Sequence, residues 1–233
     1  MGVVEPLVAQ LRRGGGLMLP FQLGLIDGPV HLVALGAHPD DIEIGCGGTL
    51  LKLAESVPEL SAEFVIATGT PVRLEEARRA AELFLPECEV TVTSAELPDG
   101  RLPAYWNQTK ELLEATARSS RRADLVLAPS KHDAHQDHRL IAELAPTVWR
   151  NHLVLHYEIP KWDGDFGRPW LYVELTEEQL REKVALLHKA YPSQVPHDWF
   201  DEEVFAGLAR LRGMECRAPY AEAFTTGKAT LTW

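Results

Sequence analysis

From residue 30 onward the chain alternates short apolar runs with amphipathic stretches. His31–Gly36 (HLVALG) is a short continuous apolar run, the pattern of a strand buried on both faces of a parallel sheet. Leu50, Leu53, Ala54 and Val57 fall at i, i+3, i+4 and i+7 and predict a helix that stops before Pro58. Glu63–Thr68 (EFVIAT) reads as the second strand. Leu74, Ala77, Ala81 and Phe84 line one face of a second helix, which ends at Pro86. A third strand is expected over Glu89–Thr93, a weaker helix over Asn107–Ser119 and a fourth strand over Asp124–Ala128 (DLVLA), followed by a polar loop. Asp137–Trp149 reads as a helix with Pro146 as a kink or break. Leu153–Glu158 and Leu171–Leu175 are the fifth and sixth strands. Thr176, with Gln179 three residues on, has the spacing of a capping box and opens a helix striped by Leu180, Val184 and Leu187. From about Asp198 a short helix and an edge strand complete the chain.

Strands alternating with helices imply an α/β fold with a mostly parallel sheet covered by helices on both faces. Residues 1–29 do not share the pattern: Gly14–Gly16, Pro20, Gly24, Gly28 and Pro29 interrupt them, and only a short helix around Val4–Leu11 is expected. The division is therefore an N-terminal extension, 1–29, and one domain, 30–233. Neither an internal repeat nor a low-complexity linker divides that domain.

Composition changes the picture in three ways. The chain has 233 residues, 45% of them hydrophobic and 24% charged, which excludes a disordered chain. A chain this long buries roughly 70% of its unfolded surface, so a metal bound here would serve chemistry rather than folding. The net charge of −11 speaks against nucleic acid as a partner, and Arg12–Arg13 and Arg121–Arg122 are too short to reverse it. The three cysteines, Cys46, Cys88 and Cys216, form no CxxC pair, so a reducing, cytoplasmic setting is expected and a thiolate zinc site is not. The first twenty residues lack the basic and apolar parts of a signal peptide, and no apolar run approaches a membrane span.

The chemistry concentrates in two clusters. Ala37-His38-Pro39-Asp40-Asp41 directly follows the first strand, where ligands bind in open α/β sheets. A His with two adjacent carboxylates suits a divalent metal or acid/base work; Pro-Asp-Asp is also ordinary turn chemistry. His132-Asp133-Ala134-His135-Gln136-Asp137-His138 follows the fourth strand, and His138 shares a helical stripe with Ile141, Ala142 and Ala145, pointing it over the sheet. Read alone, this cluster is a capped helix start with solvated histidines. Two such clusters at equivalent strand ends favour a metal site. Gly45, Gly47 and Gly48 lack the GxGxxG order and sit beside anionic side chains, so close packing is preferred to dinucleotide binding. Ser130 lacks a GxSxG elbow, which argues against a serine hydrolase. His188, His197, Trp162, Trp170 and Trp199 suit either a sugar pocket or plain aromatic packing, and Lys161–Arg168 is placed for a substrate loop.

AHPDD (Ala37–Asp41) together with DAHQDHR (Asp133–Arg139) resembles the LmbE-like, or PIG-L-like, zinc-dependent N-deacetylases. The likeness runs from about residue 30 to the C-terminus. Arg73–Ala81, Leu97–Leu102 (LPDGRL), Tyr157–Glu158, Lys183–Gln194 and Tyr220–Phe224 support it. The segment Thr68–Val72 is shorter than that family's Gly-rich, Glu-containing stretch. The resemblance implies a Rossmann-like three-layer fold and one zinc ion per chain, held by His38, Asp41 and His138, for which ferrous iron or cobalt can substitute. It implies Asp40 as general base and His135 as the group that stabilises the oxyanion or protonates the leaving amine, with Asp137 orienting His135. Arg73 resembles the family's substrate-binding arginine. The function implied is removal of an N-acetyl group from an amino sugar or its conjugate. An amidase acting on a larger acylated sugar-thiol or natural-product conjugate is the alternative, and a non-catalytic sugar- or metal-binding module is a third reading. Homo-oligomerisation stays open.

Overall fold

The computed structural model describes residues 28–118 and 121–230. The extension expected over 1–29, with its helix around Val4–Leu11, lies outside the described residues apart from Gly28 and Pro29. The elements in chain order are β1 (Val30–Gly36), α1 (Asp41–Ser56), β2 (Leu60–Thr68), α2 (Pro71–Phe84), β3 (Glu89–Leu97), a 3₁₀ turn (Leu102–Tyr105) running into α3 (Trp106–Ala117), β4 (Leu125–Pro129), α4 (Gln136–Val148), β5 (Val154–Tyr157), β6 (Leu171–Leu175), α5 (Glu177–Ala190), α6 (Glu202–Cys216) and β7 (Tyr220–Thr225).

The seven strands form one sheet in the order β3-β2-β1-β4-β5-β7-β6. β1, β2, β3, β4 and β5 are mutually parallel, and β7 runs antiparallel to both β5 and β6. Successive residues of each central strand feed opposite cores. Leu32 and Ala34 join Phe64, Leu127 and the inner sides of α1, α2 and α5, whereas Val33 and Leu35 join Val65, Val126 and the inner sides of α3 and α4. Both faces are dry, which is why the strand sequences are continuous apolar runs rather than alternating ones. The chain moves outward from β1 through β2 to β3, then returns to pair β4 on the other side of β1. That reversal opens a crevice at the carboxyl ends of β1 and β4.

Several boundaries differ from those the sequence predicts. α1 begins at Asp41, well before Leu50, and includes all three glycines. It kinks at Cys46 (φ −145°, ψ 23°), and Gly48 and Thr49 there donate their N–H groups to Glu222. The glycines answer to packing: a Cβ on Gly45 would stand 2.1 Å from the Tyr157 ring. Pro146 lies in the last turn of α4 and the helix ends two residues later, so it marks the end rather than a kink. The tail helix α6 has 15 residues and is not short. β7 is not an edge strand: it inserts between β5 and β6, leaving β6 at the edge. Ala221–Phe224 of β7 are buried, as an interior position requires. No helix among the described residues is long and apolar enough to cross a membrane.

Candidate active site

The two clusters meet over the crevice. The turn after β1 is held from several sides. Asp41 Oδ2 accepts the N–H groups of Ala37 and His38, each at 2.8 Å. The Ala37 carbonyl accepts from Thr68 N–H and Oγ1 at the end of β2, at 2.9 and 2.7 Å. Asp40 has φ 125°, a conformation L-residues avoid, and its carbonyl starts α1 by accepting from Ile44. The turn after β4 is relaxed. Asp133 Oδ1 accepts the His135 N–H at 2.8 Å, and His135 (φ −74°, ψ 123°) caps α4 as its Nδ1 accepts the Asp137 N–H.

His38 Nδ1 and His138 Nε2 stand 3.0 Å apart. Asp41 completes the group, with Oδ1 3.2 Å from His138 Nε2 and Oδ2 3.5 Å from His38 Nδ1. Two imidazole nitrogens facing each other beside a carboxylate need a proton or a cation between them. The ligands of a tetrahedral zinc stand about 3.4 Å apart, given zinc–nitrogen and zinc–oxygen distances near 2.1 Å, so the separations fit. His38, His135 and His138 also form a group with metal-binding spacing, as do His38, Asp99 and Asp137.

Carboxylates surround the outer sides of both rings. His138 Nδ1 lies 2.9 Å from Asp133 Oδ2; His38 Nε2 lies 2.9 Å from Asp99 Oδ1 and 3.5 Å from Asp137 Oδ2. These are contacts of charge and distance, off the line of the ring N–H, since neither nitrogen has an aligned hydrogen-bond partner. Asp137 itself accepts from the Gly100 and Leu102 N–H groups, at 2.8 and 3.0 Å. Its carboxylate thus faces His38 and the loop after β3, and its link to His135 is the backbone cap. Lys161, from the loop after β5, bridges Asp133 at 2.9 Å and Asp165 at 2.7 Å.

The electrostatics follow from this arrangement. Burial alone would lower the His38 and His138 pKa values, but Asp41 and the outer carboxylates outweigh it; His138 rises to about 9 and His38 moves well above its usual value. Burial would raise Asp41, but His138 and His38 hold it well below the carboxylate range. The pocket therefore attracts positive charge. Asp40 is the exception: burial pushes it up to about 7 against the pull of Arg73. Burial, and then the charges of His138 and His38, lower His135.

His38, Asp40, Asp41, His135, Asp137 and His138 are thus brought to one place, and Arg73 reaches it from α2 with a 2.7 Å contact to Asp40. Asp133, Asp99 and Lys161 also reach it. Asp133 lies inside the His-rich cluster; Lys161 lies on the loop Lys161–Arg168 that its position marks as a substrate loop, but nothing in the sequence singles out its contact with Asp133.

A doubly wound sheet with a His/Asp cluster over its switch point defines an α/β protein with side chains that could hold a cation at the strand ends, where such sheets bind ligands. The family model for GlcNAc-PI de-N-acetylase (PIG-L) matches residues 33–149, from β1 through α4. The uncharacterized deacetylase YaiS of Escherichia coli K12 is 31% identical over 169 residues, covering 68% of this chain and 89% of YaiS. The chain belongs to this PIG-L, or LmbE-like, deacetylase family. The N,N′-diacetylchitobiose deacetylase from Pyrococcus horikoshii shares the fold with a TM-score of 0.69 and 20% identity, over 88% of this chain and 87% of that one. The 4-carboxy-2-hydroxymuconate hydratase GalB of Pseudomonas putida KT2440 also shares it, with a TM-score of 0.65 and 19% identity, over 88% of this chain and 98% of that one. The same scaffold carries a hydratase, so the reaction has to be argued from the site.

Proposed function

We propose that this chain is a zinc-dependent hydrolase that removes the acetyl group from an N-acetylated amino sugar or its conjugate. The observation that carries the reading is the meeting of His38 Nδ1, His138 Nε2 and the Asp41 carboxylate within 3.5 Å, with Asp40 adjacent in the chain. His38, Asp41 and His138 would hold the ion. When bound, a divalent ion lowers the pKa of water and polarises an acyl oxygen.

The chain's own groups then divide the proton work. Asp40, with a pKa near 7, has the affinity to accept a proton from the attacking water at neutral pH. His135 accepts the helix-cap bond at Nδ1, which leaves its proton on Nε2 to face the substrate oxygen as it gains charge. Because its surroundings lower its pKa, His135 acts first as a neutral hydrogen-bond donor. It becomes a general acid only on taking up a proton, and the proton that Asp40 accepts from the water would supply it. The departing amine then leaves protonated.

The test is release of acetate from a panel of N-acetylated hexosamines, disaccharides and larger amino-sugar conjugates by zinc-loaded protein. Acetate release that stops when the metal is chelated supports the reading. A fully loaded protein that releases no acetate across the panel overturns it. A larger conjugate is favoured by one further observation. The loop after β5, pinned to Asp133 by Lys161, exposes Trp162 (76%) and Phe166 (43%). These side chains suit a substrate reaching well past one sugar ring. Turnover of conjugates with no turnover of simple hexosamines would select that version.

A further inference from the structure

Arg73 matches the position expected to grip substrate, and one nitrogen of its guanidinium is engaged by the turn after β1. Nη2 donates to Asp40 Oδ2 at 2.7 Å and also to the Pro39 carbonyl. Both acceptors belong to the one turn in which Asp40 is held at φ 125°. A non-glycine residue persists in that conformation only where its surroundings over-determine it. Arg73 ties down the peptide on one side of the strained residue and the side chain of that residue itself.

Arg73 is in turn held from behind. Glu76, one turn further along α2 and buried, places Oε2 3.5 Å from Arg73 Nε. Glu76 is fixed by a segment distant in sequence: Ser193 donates its N–H to Oε1 at 2.9 Å and its hydroxyl to Oε2 at 2.6 Å. Gln194 Nε2 donates to that same hydroxyl at 2.8 Å. The segment reaches the turn by a second route, since Tyr191 donates its hydroxyl to Glu43 in the first turn of α1 at 2.8 Å. The carboxyl end of α5 thus buttresses the turn after β1 through two buried carboxylates.

We propose that Arg73 is a positioning residue for Asp40, held in place by Glu76 and Ser193. The proposal rests on the reading of Asp40 as the base of the hydrolysis. A side chain that fixes the base sets the rate of proton transfer and leaves substrate affinity alone; a side chain that grips substrate does the opposite.

The experiment separates kcat from KM with the N-acetylated sugar that the acetate assay identifies, and measures zinc content alongside. Arg73→Met is expected to lower kcat by roughly 100-fold, the scale of a misplaced catalytic group, with KM within about threefold and zinc retained. Glu76→Gln and Ser193→Ala act at one remove and should lower kcat by roughly 5- to 10-fold, in the same direction, while Ser193→Thr, which keeps the hydroxyl, should stay within about twofold of the wild type. A rise of tenfold or more in KM with kcat preserved in Arg73→Met overturns the proposal, as do wild-type rates in both Glu76→Gln and Ser193→Ala. A crystal structure of metal-free Arg73→Met needs no substrate and keeps the proposal testable if the deacetylase reading fails. Asp40 relaxing to negative φ supports the clamp; Asp40 unmoved overturns it.

Discussion

The turn after β1 holds Asp40 at φ 125°, whereas the turn after β4 enters its helix through His135 at φ −74°. Both deliver a histidine to the same point, His38 from one and His138 from the other. The first is strapped from outside, by Arg73 on α2 and by Thr68 at the end of β2. The second is held from within by the Asp133 side chain and the helix cap, and from the loop after β5 by Asp165 and Lys161. Strain in a sparsely populated conformation costs about 1–3 kcal/mol and persists where it serves a purpose. On the proposed reading the difference is a division of labour: the relaxed turn presents one ligand, His138, while the strained turn presents two, His38 and Asp41, together with the base, Asp40. His38, Asp40 and Asp41 come from four consecutive residues of that turn.

The largest effect should come from the strained side. Asp40→Asn keeps the shape and removes the proton acceptor, so kcat for acetate release should fall by roughly 10³-fold with zinc content unchanged. Loss of zinc from this variant would show that Asp40 belongs to the ligand set, and would erase the proposed division between the turns. Substitution in the relaxed turn should give the opposite profile. His138→Ala should lose zinc and activity together and leave the metal-free fold intact, since the two cores are complete without the ion.

Next in size is a pH effect beneath the relaxed turn. His156 on β5 donates Nδ1–H to the carbonyl of Pro129, the last residue of β4, at 2.8 Å. Burial lowers its pKa to about 4. The folded state then resists the proton that the unfolded chain accepts near pH 6.5. Stability is full above that value and declines as the pH falls from about 6.5 to 4, by about 3 kcal/mol in all. Denaturant melts at pH 7 and pH 4.5 should show this loss in the wild type and a smaller one in His156→Gln. Equal losses would place the acid-sensitive group elsewhere.

Asp133→Asn should weaken zinc binding by roughly 10- to 100-fold, the usual cost of removing a carboxylate behind a ligating imidazole. Competition with a chromophoric chelator measures it. Unchanged affinity would mean that the off-line contact between Asp133 and His138 orients nothing.

The positions of both clusters at strand ends were legible because alternating apolar runs and helical stripes report a parallel sheet, and such sheets bind ligands at one end. The pairing of His38 with His138 came from the family resemblance, because the two clusters alone leave open which histidines meet. The left-handed backbone at Asp40 was not legible, because nothing in Pro-Asp-Asp distinguishes it from an ordinary turn. Arg73 was singled out, but its commitment to Pro39 and Asp40 depends on α2 packing across the end of β1, a contact between distant segments. The same holds for Asp137, whose carboxylate meets the backbone of Gly100 and Leu102. The insertion of β7 between β5 and β6 escaped for a related reason. Tyr220–Thr225 reads as a strand from its own residues, but its neighbours are chosen by the packing of α6 and by Glu222, which reaches the kink in α1.

The smallest expected effect gives the cleanest comparison, because it asks for opposite signs from one kind of substitution. Glycine adopts φ 125° without the steric penalty that aspartate bears there. Asp40→Gly should therefore raise the stability of the metal-free protein, by about 1 kcal/mol after allowance for the added freedom of the unfolded chain. It also removes a buried carboxyl, and Arg73 keeps the Pro39 carbonyl as a partner. His135→Gly relieves no strain, since φ −74° and ψ 123° are ordinary for any residue. It removes a helix cap and adds unfolded-state freedom, so stability should fall by about 1 kcal/mol. In a domain of this size each change corresponds to about 2–4 °C in Tm, with the two variants moving apart from the wild type. Calorimetry of the metal-free proteins reads both shifts, free of any contribution from ion binding. If Asp40→Gly melts below the wild type, the turn after β1 stores no strain that glycine can release, and its conformation owes more to the Asp40–Arg73 contact than to the backbone.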